Sequence, residues 1–244
     1  MADLKIDTRR LSHEELEFYR EQGYLRVSGV FDPEELAETN AEIDRLRSEK
    51  NPSTGQNQNF IFSLAQRSER AAALCADERI LALIEDIVRP GIAIYSAKLV
   101  EKSPFEDTVC HWHQDDAYYR RISMSSARMS VWIPLQDCDE NNGCLWLVPG
   151  SHREGFVDTH ERRETGVCTL SLRDGAEDIE GAIPCPISAG EVILFDALTW
   201  HRSLGNRTGK TRRSFIVSYQ DALTTGAARG QHRILRPAPQ DEST

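Results

Sequence analysis

The sequence predicts a mainly β fold: a sandwich or barrel of short antiparallel strands with flanking helices stacked before it. Three observations carry this expectation. From residue 92 to about 220, short apolar runs alternate with turn signals such as Asn141-Asn142-Gly143, Ala189-Gly190 and Gly205-Asn206. Ahead of that stretch, residues 12–90 carry helix caps and helical apolar spacing. Finally, His113-x-Asp115 and the distant His201 are good metal ligands on separate strand-like segments. A jelly roll, the cupin-like double-stranded β-helix, is the sandwich that gathers such ligands at one open mouth. The strand pattern alone does not choose it among sandwiches.

The chain has 244 residues, a length that β-rich folds often use for a single domain over 1–244. A hydrophobic content of 39% supports a sizeable core, and 28% charged residues argue for solubility. No apolar run approaches the roughly 18 residues of a membrane span. The first residues lack the basic and apolar regions of a secretory signal, and the last are not a peroxisomal tripeptide. A cytoplasmic location is therefore expected. The net charge of −10 disfavours nucleic acid as a partner, and nothing points to a membrane. A small-molecule substrate and a monomer or homodimer are the expected partners. Cys75, Cys110, Cys138, Cys144, Cys168 and Cys185 are scattered without a Cys-x-x-Cys pair, the pattern of reduced thiols rather than a disulfide frame or zinc site.

Taken in order, Ser12-His13-Glu14-Glu15 has capping-box spacing and opens a helix that Gly23 should end. Tyr24–Val27 reads as a strand. Asp32-Pro33-Glu34-Glu35 opens a second helix, running to about Lys50, with the acids near the positive end of its dipole. Residues 51–59 form a polar loop, and a third helix fits 77–88, capped by Asp77 and ended by Pro90-Gly91. The core of about 91–220 then begins. Its first strand, 92–100, should carry Ile94, Ser96, Lys98 and Val100 on one face. Further strands are expected at 109–115, 129–135, 144–148, 183–187, 191–196, 199–203 and 214–219. Residues 151–182, charged and poor in apolar side chains, read as an excursion outside the core. The tail, 222–244, reads as loop or disorder.

Side chains two apart on a strand share a face, so His113 and Asp115 can grip one ion, with His201 as a third ligand. A lone His-x-Asp is ordinarily a solvated face. Here Trp112, Tyr118, Tyr119 and Trp200 flank the ligands and suggest a partly dry pocket. Two histidines and a carboxylate suit a non-haem Fe(II) oxygenase better than a closed zinc site. His111 leaves a three-histidine alternative open, because parity places it with His113. Arg212, eleven residues after His201 and beyond the Gly205-Asn206 turn, could hold a carboxylate bidentately with the Ser203 hydroxyl beside it. Of Arg212 and Arg213 only one can point inward.

His113-Gln114-Asp115, Asn142-Gly143-Cys144-Leu145, Pro149-Gly150-Ser151-His152 and His201 with Arg212 are similar, in this order, to the motifs of the phytanoyl-CoA dioxygenase family. Glu17-Phe18-Tyr19…Gly23-Tyr24 and Gly29-Val30-Phe31…Glu34-Glu35-Leu36 resemble its opening helices, so the likeness covers about 12–220. The resemblance implies an Fe(II)- and 2-oxoglutarate-dependent oxygenase that uses O2, releases succinate and CO2, and has a jelly-roll core. It implies iron on His113, Asp115 and His201, which sets His111 aside. It places Arg212 and Ser203 at the distal carboxylate of 2-oxoglutarate, Trp132 along the co-substrate pocket, and Gln114 as a further co-substrate contact. The carboxylate at Asp115 argues against the family's halogenating variants, and no catalytic side chain beyond the metal ligands is expected. Candidate substrate contacts are Gln58, Lys98, Tyr118, Tyr119, Arg120 and Gln220. Lys98, at an inward-capable strand position, would need an anionic partner if buried, either a carboxylate or phosphonate on the substrate or a neighbouring Asp or Glu. Arg120, Arg121 and Arg128 near the mouth point to an anionic substrate too, and hydroxylation is the default outcome. The rival readings are a cupin-like metalloenzyme without 2-oxoglutarate and a catalytically silent binding protein.

Overall fold

The computed structural model describes residues 8–48, 60–62, 68–119, 125, 127–161, 170–172, 178–223 and 233–239. Helix α1 (His13–Gln22) opens with the expected capping box, in which Ser12 and Glu15 each accept from the other's backbone N–H. It closes on Gly23 at φ 77°, where a Cβ would lie 2.4 Å from His152 Nδ1, so both conformation and space require glycine. Strand β1 (Tyr24–Val27) and helix α2 (Pro33–Ser48) follow as expected, with Leu36, Ile43 and Leu46 buried. The polar loop of 51–59 lies outside the described residues, and strand β2 (Phe60–Phe62) comes after it. The helix expected at 77–88 is α4 (Glu78–Ile84), capped by Asp77 as expected but shorter, and it is preceded by a helix not foreseen, α3 (Glu69–Cys75), capped by Ser68. After Ile84 the chain continues as turns, with Val88 N–H donating to Ile84 O and the Val88 side chain buried in the core.

Next come β3 (Ile92–Lys102), β4 (Cys110–His113), the short helix α5 (Asp116–Tyr119), β5 (Arg128–Pro134) and β6 (Leu145–Leu147). They are followed by β7 (Thr159–Glu161), β8 (Leu170–Leu172), β9 (Ile183–Cys185), β10 (Val192–Asp196), β11 (His201–Ser203), β12 (Arg212–Gln220) and β13 (Ile234–Arg236). A larger antiparallel sheet runs β1-β10-β5-β12-β3-β13, with β2 also on β3, and a smaller one runs β4-β11-β6-β9. Consecutive strands cross between the sheets: β3, β5, β10 and β12 lie in one, β4, β6, β9 and β11 in the other. That is the jelly roll. One face of the larger sheet packs Leu99, Ile133, Phe215 and Val217 against the helices. Its other face meets the smaller sheet through Trp132, Ile193, Phe195, Leu145 and Leu147.

Four further expectations need correction. Ile94 does not share a face with Ser96, Lys98 and Val100. Ser96 pairs with Ser218 and Ile94 with Tyr219, so Tyr95 is a bulge that turns Ile94 into the helix-side core. The charged excursion contains the β7–β8 hairpin, whose Leu172 is buried because β8 lies against β4. The tail includes β13, which satisfies the edge of β3. Among the cysteines, Cys75, Cys138, Cys144 and Cys185 are free, but Cys110 is disulfide-bonded. No helix among the described residues is long and apolar enough to cross a membrane.

Candidate active site

The inner face of the larger sheet follows from its register. Direct partners stand on one side, which gives the rows Trp132–Ile216–Lys98 and Ser130–Ser218–Ser96 across β5, β12 and β3. Opposite them, β4 and β11 pair so that His201 lies directly across from His113. The chain turns after His113, and Asp115 enters from this turn, held as Asp116 N–H donates to Ala197 O at 2.9 Å. One ligand atom from each of His113, Asp115 and His201 then lies within 4.8 Å of the others, and all three residues are buried.

Each ligand is oriented by a neighbour. His113 Nδ1 lies 2.7 Å from His111 O and His201 Nδ1 2.9 Å from Thr199 O. A carbonyl only accepts, so each Nδ1 carries the proton and each Nε2 keeps its lone pair for a metal. Asp115 Oδ2 accepts from Ser130 Oγ at 2.6 Å, while Oδ1 lies 3.8 Å from His201 Nε2 and 3.9 Å from Lys98 Nζ. Burial pushes the pKa of both imidazoles down, that of His113 to about 3. Burial raises the Asp115 carboxyl, but Lys98, the two histidines and Ser130 outweigh it, and the net shift is downward. Neutral imidazoles facing a carboxylate are the protonation states a divalent metal needs. His111 is not in the group. It contributes its carbonyl, which orients His113.

Further along the cleft, Arg212 is 1% exposed and pairs with no carboxylate among the described residues. Its guanidinium donates to Ser214 Oγ at 2.9 Å and to the carbonyls of Asn142 and Gly143, with Trp132 5.6 Å away. The Asn142-Gly143 turn is thus the bracket for this arginine, and a Cβ on Gly143 would fall 2.5 Å from Leu204 O. Burial pushes Arg212's pKa down, yet a guanidinium keeps its proton, so a positive charge stands in this buried setting. Arg213, facing the other way, is satisfied by Glu101 and Asp44. Lys102, paired across the strands with Arg212, is also buried, and its ammonium donates to the carbonyls of Thr108 and Leu204. Burial, with Arg212 beside it, pulls its pKa well down.

Several expected residues are placed differently. Gln114 is engaged by backbone. Its amide donates to Gly155 O and Leu198 O and its oxygen accepts from Val157 N–H, because its side chain points away from the two ligands beside it. Trp112 likewise turns outward, stacked with Trp146 around Arg202. Ser203 lies on the His201 face of β11, but the hydroxyl bonded to Arg212 is that of Ser214. Tyr118 stands edge-on to His113 with ring centres 6.0 Å apart, and its hydroxyl accepts from Leu170 N–H. Gln220 is buried at the end of the inner face, paired with Arg128. The side chain of Tyr119, and all of Gln58 and Arg120, lie outside the described residues. The Pro149-Gly150-Ser151-His152 motif ties α1 to the metal strand. Gly150 N–H donates to Gln22 O, the His152 ring bonds Arg20 O, and Ser151 Oγ accepts from Trp200 N–H beside His201.

A family model described as Phytanoyl-CoA dioxygenase (PhyH) matches residues 19–214. The ectoine dioxygenase of Stutzerimonas stutzeri is 25% identical over 243 residues, covering 88% of this chain and 78% of that one. The peroxisomal phytanoyl-CoA dioxygenase of Rattus norvegicus is 23% identical over 236 residues, covering 88% and 70%. Among solved structures, the epimerase SnoN in complex with Fe3+, alpha ketoglutarate and nogalamycin RO is similar at a TM-score of 0.71 and 23% identity, covering 93% of this chain and 95% of that one.

Proposed function

This chain belongs to the phytanoyl-CoA dioxygenase family of Fe(II)- and 2-oxoglutarate-dependent oxygenases, and on that premise we propose that it hydroxylates an anionic small molecule. The overall change consumes substrate, O2 and 2-oxoglutarate and yields hydroxylated substrate, succinate and CO2. The observation that carries the reading is the buried group of His113, Asp115 and His201, with both Nε2 atoms free to bind metal and one carboxylate oxygen turned toward them. Iron bound there supplies the oxidising chemistry. The protein's own side chains position and shelter it.

Arg212, with the Ser214 hydroxyl at its Nη1, would receive the distal carboxylate of 2-oxoglutarate. Ser203, on the same strand face as His201, lies along the same cleft, and Trp132 and Ile216 present apolar surface for the methylene carbons. Burial of this wall excludes water and strengthens each polar contact. On this reading no side chain need move a proton at the reacting carbon.

Lys98 supports the anionic substrate class. Its ammonium approaches Asp115 Oδ1, the carboxylate oxygen aimed at the histidines. It places a positive charge beside the metal ligands, where a substrate carboxylate or phosphonate is a fitting counter-ion. The test is succinate release in the presence of Fe(II), with paired substrates that differ only in an anionic group. The anionic member should turn over, and Lys98→Met should raise its KM about tenfold or more, the loss of one charge-assisted contact. Equal turnover of a neutral isostere would sink the anionic assignment.

A further inference from the structure

Three serines stand side by side on the inner face, Ser96, Ser218 and Ser130, in register across β3, β12 and β5. Two are almost wholly buried, Ser130 at 0% and Ser218 at 2% exposure. The neighbouring row, Trp132–Ile216–Lys98, is mostly apolar, so packing alone gives no reason for hydroxyls here. Burying them without partners would cost about 1–3 kcal/mol each. Their partner is the carboxylate. Ser130 has one hydroxyl proton and spends it on Asp115 Oδ2 at 2.6 Å. The 2.9 Å contact between Ser130 Oγ and Ser218 Oγ therefore has Ser218 as donor. The chain runs Ser218 to Ser130 to Asp115, each hydroxyl polarising the next.

We propose that this Ser218–Ser130 relay is a positioning device that makes Asp115 a one-oxygen metal ligand. With Oδ2 committed to Ser130, only Oδ1 is presented toward His201 Nε2. The consequence is chemical. A carboxylate that bound through both oxygens would take a position that a chelating co-substrate and dioxygen require. The serines thus serve two ends, holding the carboxylate for metal and keeping coordination positions open. This inference rests on the metal-centre reading above.

The experiment is anaerobic Fe(II) titration of the full chain against a competing chelator, for wild type, Ser130→Ala, Ser218→Ala and Ser130→Thr. It is followed by 2-oxoglutarate titration of each loaded protein and thermal melting of each apoprotein. Removing the hydroxyl on Oδ2 should weaken Fe(II) binding about 10- to 100-fold, the usual effect of an outer hydrogen-bond partner. Ser218→Ala should weaken it by a smaller factor, and Ser130→Thr, which keeps the hydroxyl, should restore affinity. Loaded Ser130→Ala should also bind 2-oxoglutarate more weakly than loaded wild type. A packing role alone would lower the melting temperature of Ser130→Ala while leaving its Fe(II) dissociation constant at the wild-type value, and that result overturns the proposal. If Ser130→Ala fails to fold, an unchanged Fe(II) dissociation constant in Ser218→Ala overturns the relay. Wild-type protein that binds no Fe(II) would overturn the metal-centre reading itself, and this inference with it.

Discussion

Strand β12 is buried on both faces, and the two faces carry different chemistry. One presents Phe215, Val217 and Tyr219 to the helices, all at 0% exposure. The other presents Arg212, Ser214, Ser218 and Gln220 to the smaller sheet, with Ile216 the lone apolar side chain among them. Both rows are mostly buried, so burial cannot be what separates core from site. The difference lies in what satisfies the buried groups. Apolar side chains on the helix side need only neighbours of the right volume. Polar ones on the inner side need partners, and Arg212, which pairs with no carboxylate among the described residues, is where the proposed function places an anionic ligand.

Substitutions at alternate positions can break this comparison. The largest expected effect is from Asp115→Ala, which removes a ligand and should abolish Fe(II)-dependent succinate release while leaving the apoprotein folded by circular dichroism. On the helix side, Phe215→Ala should lower stability by about 3–5 kcal/mol in chemical denaturation, through a cavity behind a fully buried ring. On the inner side, Arg212→Met should cost less stability than Phe215→Ala, since the relief of a buried charge offsets the donors lost by Ser214 Oγ and the Asn142 and Gly143 carbonyls. It should nonetheless weaken 2-oxoglutarate binding by about 2–5 kcal/mol, read by calorimetry. Its neighbour sharpens the contrast. Arg213→Met breaks ion pairs with Glu101 and Asp44, and should lower stability by about 1–3 kcal/mol without changing 2-oxoglutarate affinity. If Arg212→Met and Arg213→Met behaved alike, the division of faces would be wrong.

Much of this division is legible in the sequence, because alternation along an extended strand is a physical rule. That rule separates Arg212 from Arg213 and aligns Ser96, Lys98 and Val100. It fails where backbone departs from the ideal strand. The bulge at Tyr95 reverses Ile94, an event one strand's sequence cannot announce because it depends on the partner's register. Gln114 looks like a site residue by adjacency, yet it sits between two inward ligands and so points the other way, into a backbone-binding role. Ser130 and Ser218 carry a faint signal, hydroxyls in otherwise apolar strands, but their meaning needs the pairing of β5 with β12. The motif Pro149-Gly150-Ser151-His152 reads as a turn, and only the fold reveals that it fastens α1 to the strand bearing His201. The short strand β13 lies in a polar tail whose pattern does not rise above loop, since its pairing with β3 is supplied by the edge it covers.

The central claim is that one buried site holds iron through His113, Asp115 and His201 and 2-oxoglutarate through Arg212. The most direct measurement is anaerobic addition of Fe(II) and then 2-oxoglutarate, watching the weak visible charge-transfer absorption that arises when the keto acid chelates the metal. Wild-type protein should develop the band, Asp115→Ala should not, and Arg212→Ala should need far more 2-oxoglutarate to reach it. Iron that binds without any such band, or a band that rises at the same 2-oxoglutarate concentration in Arg212→Ala, would contradict the account.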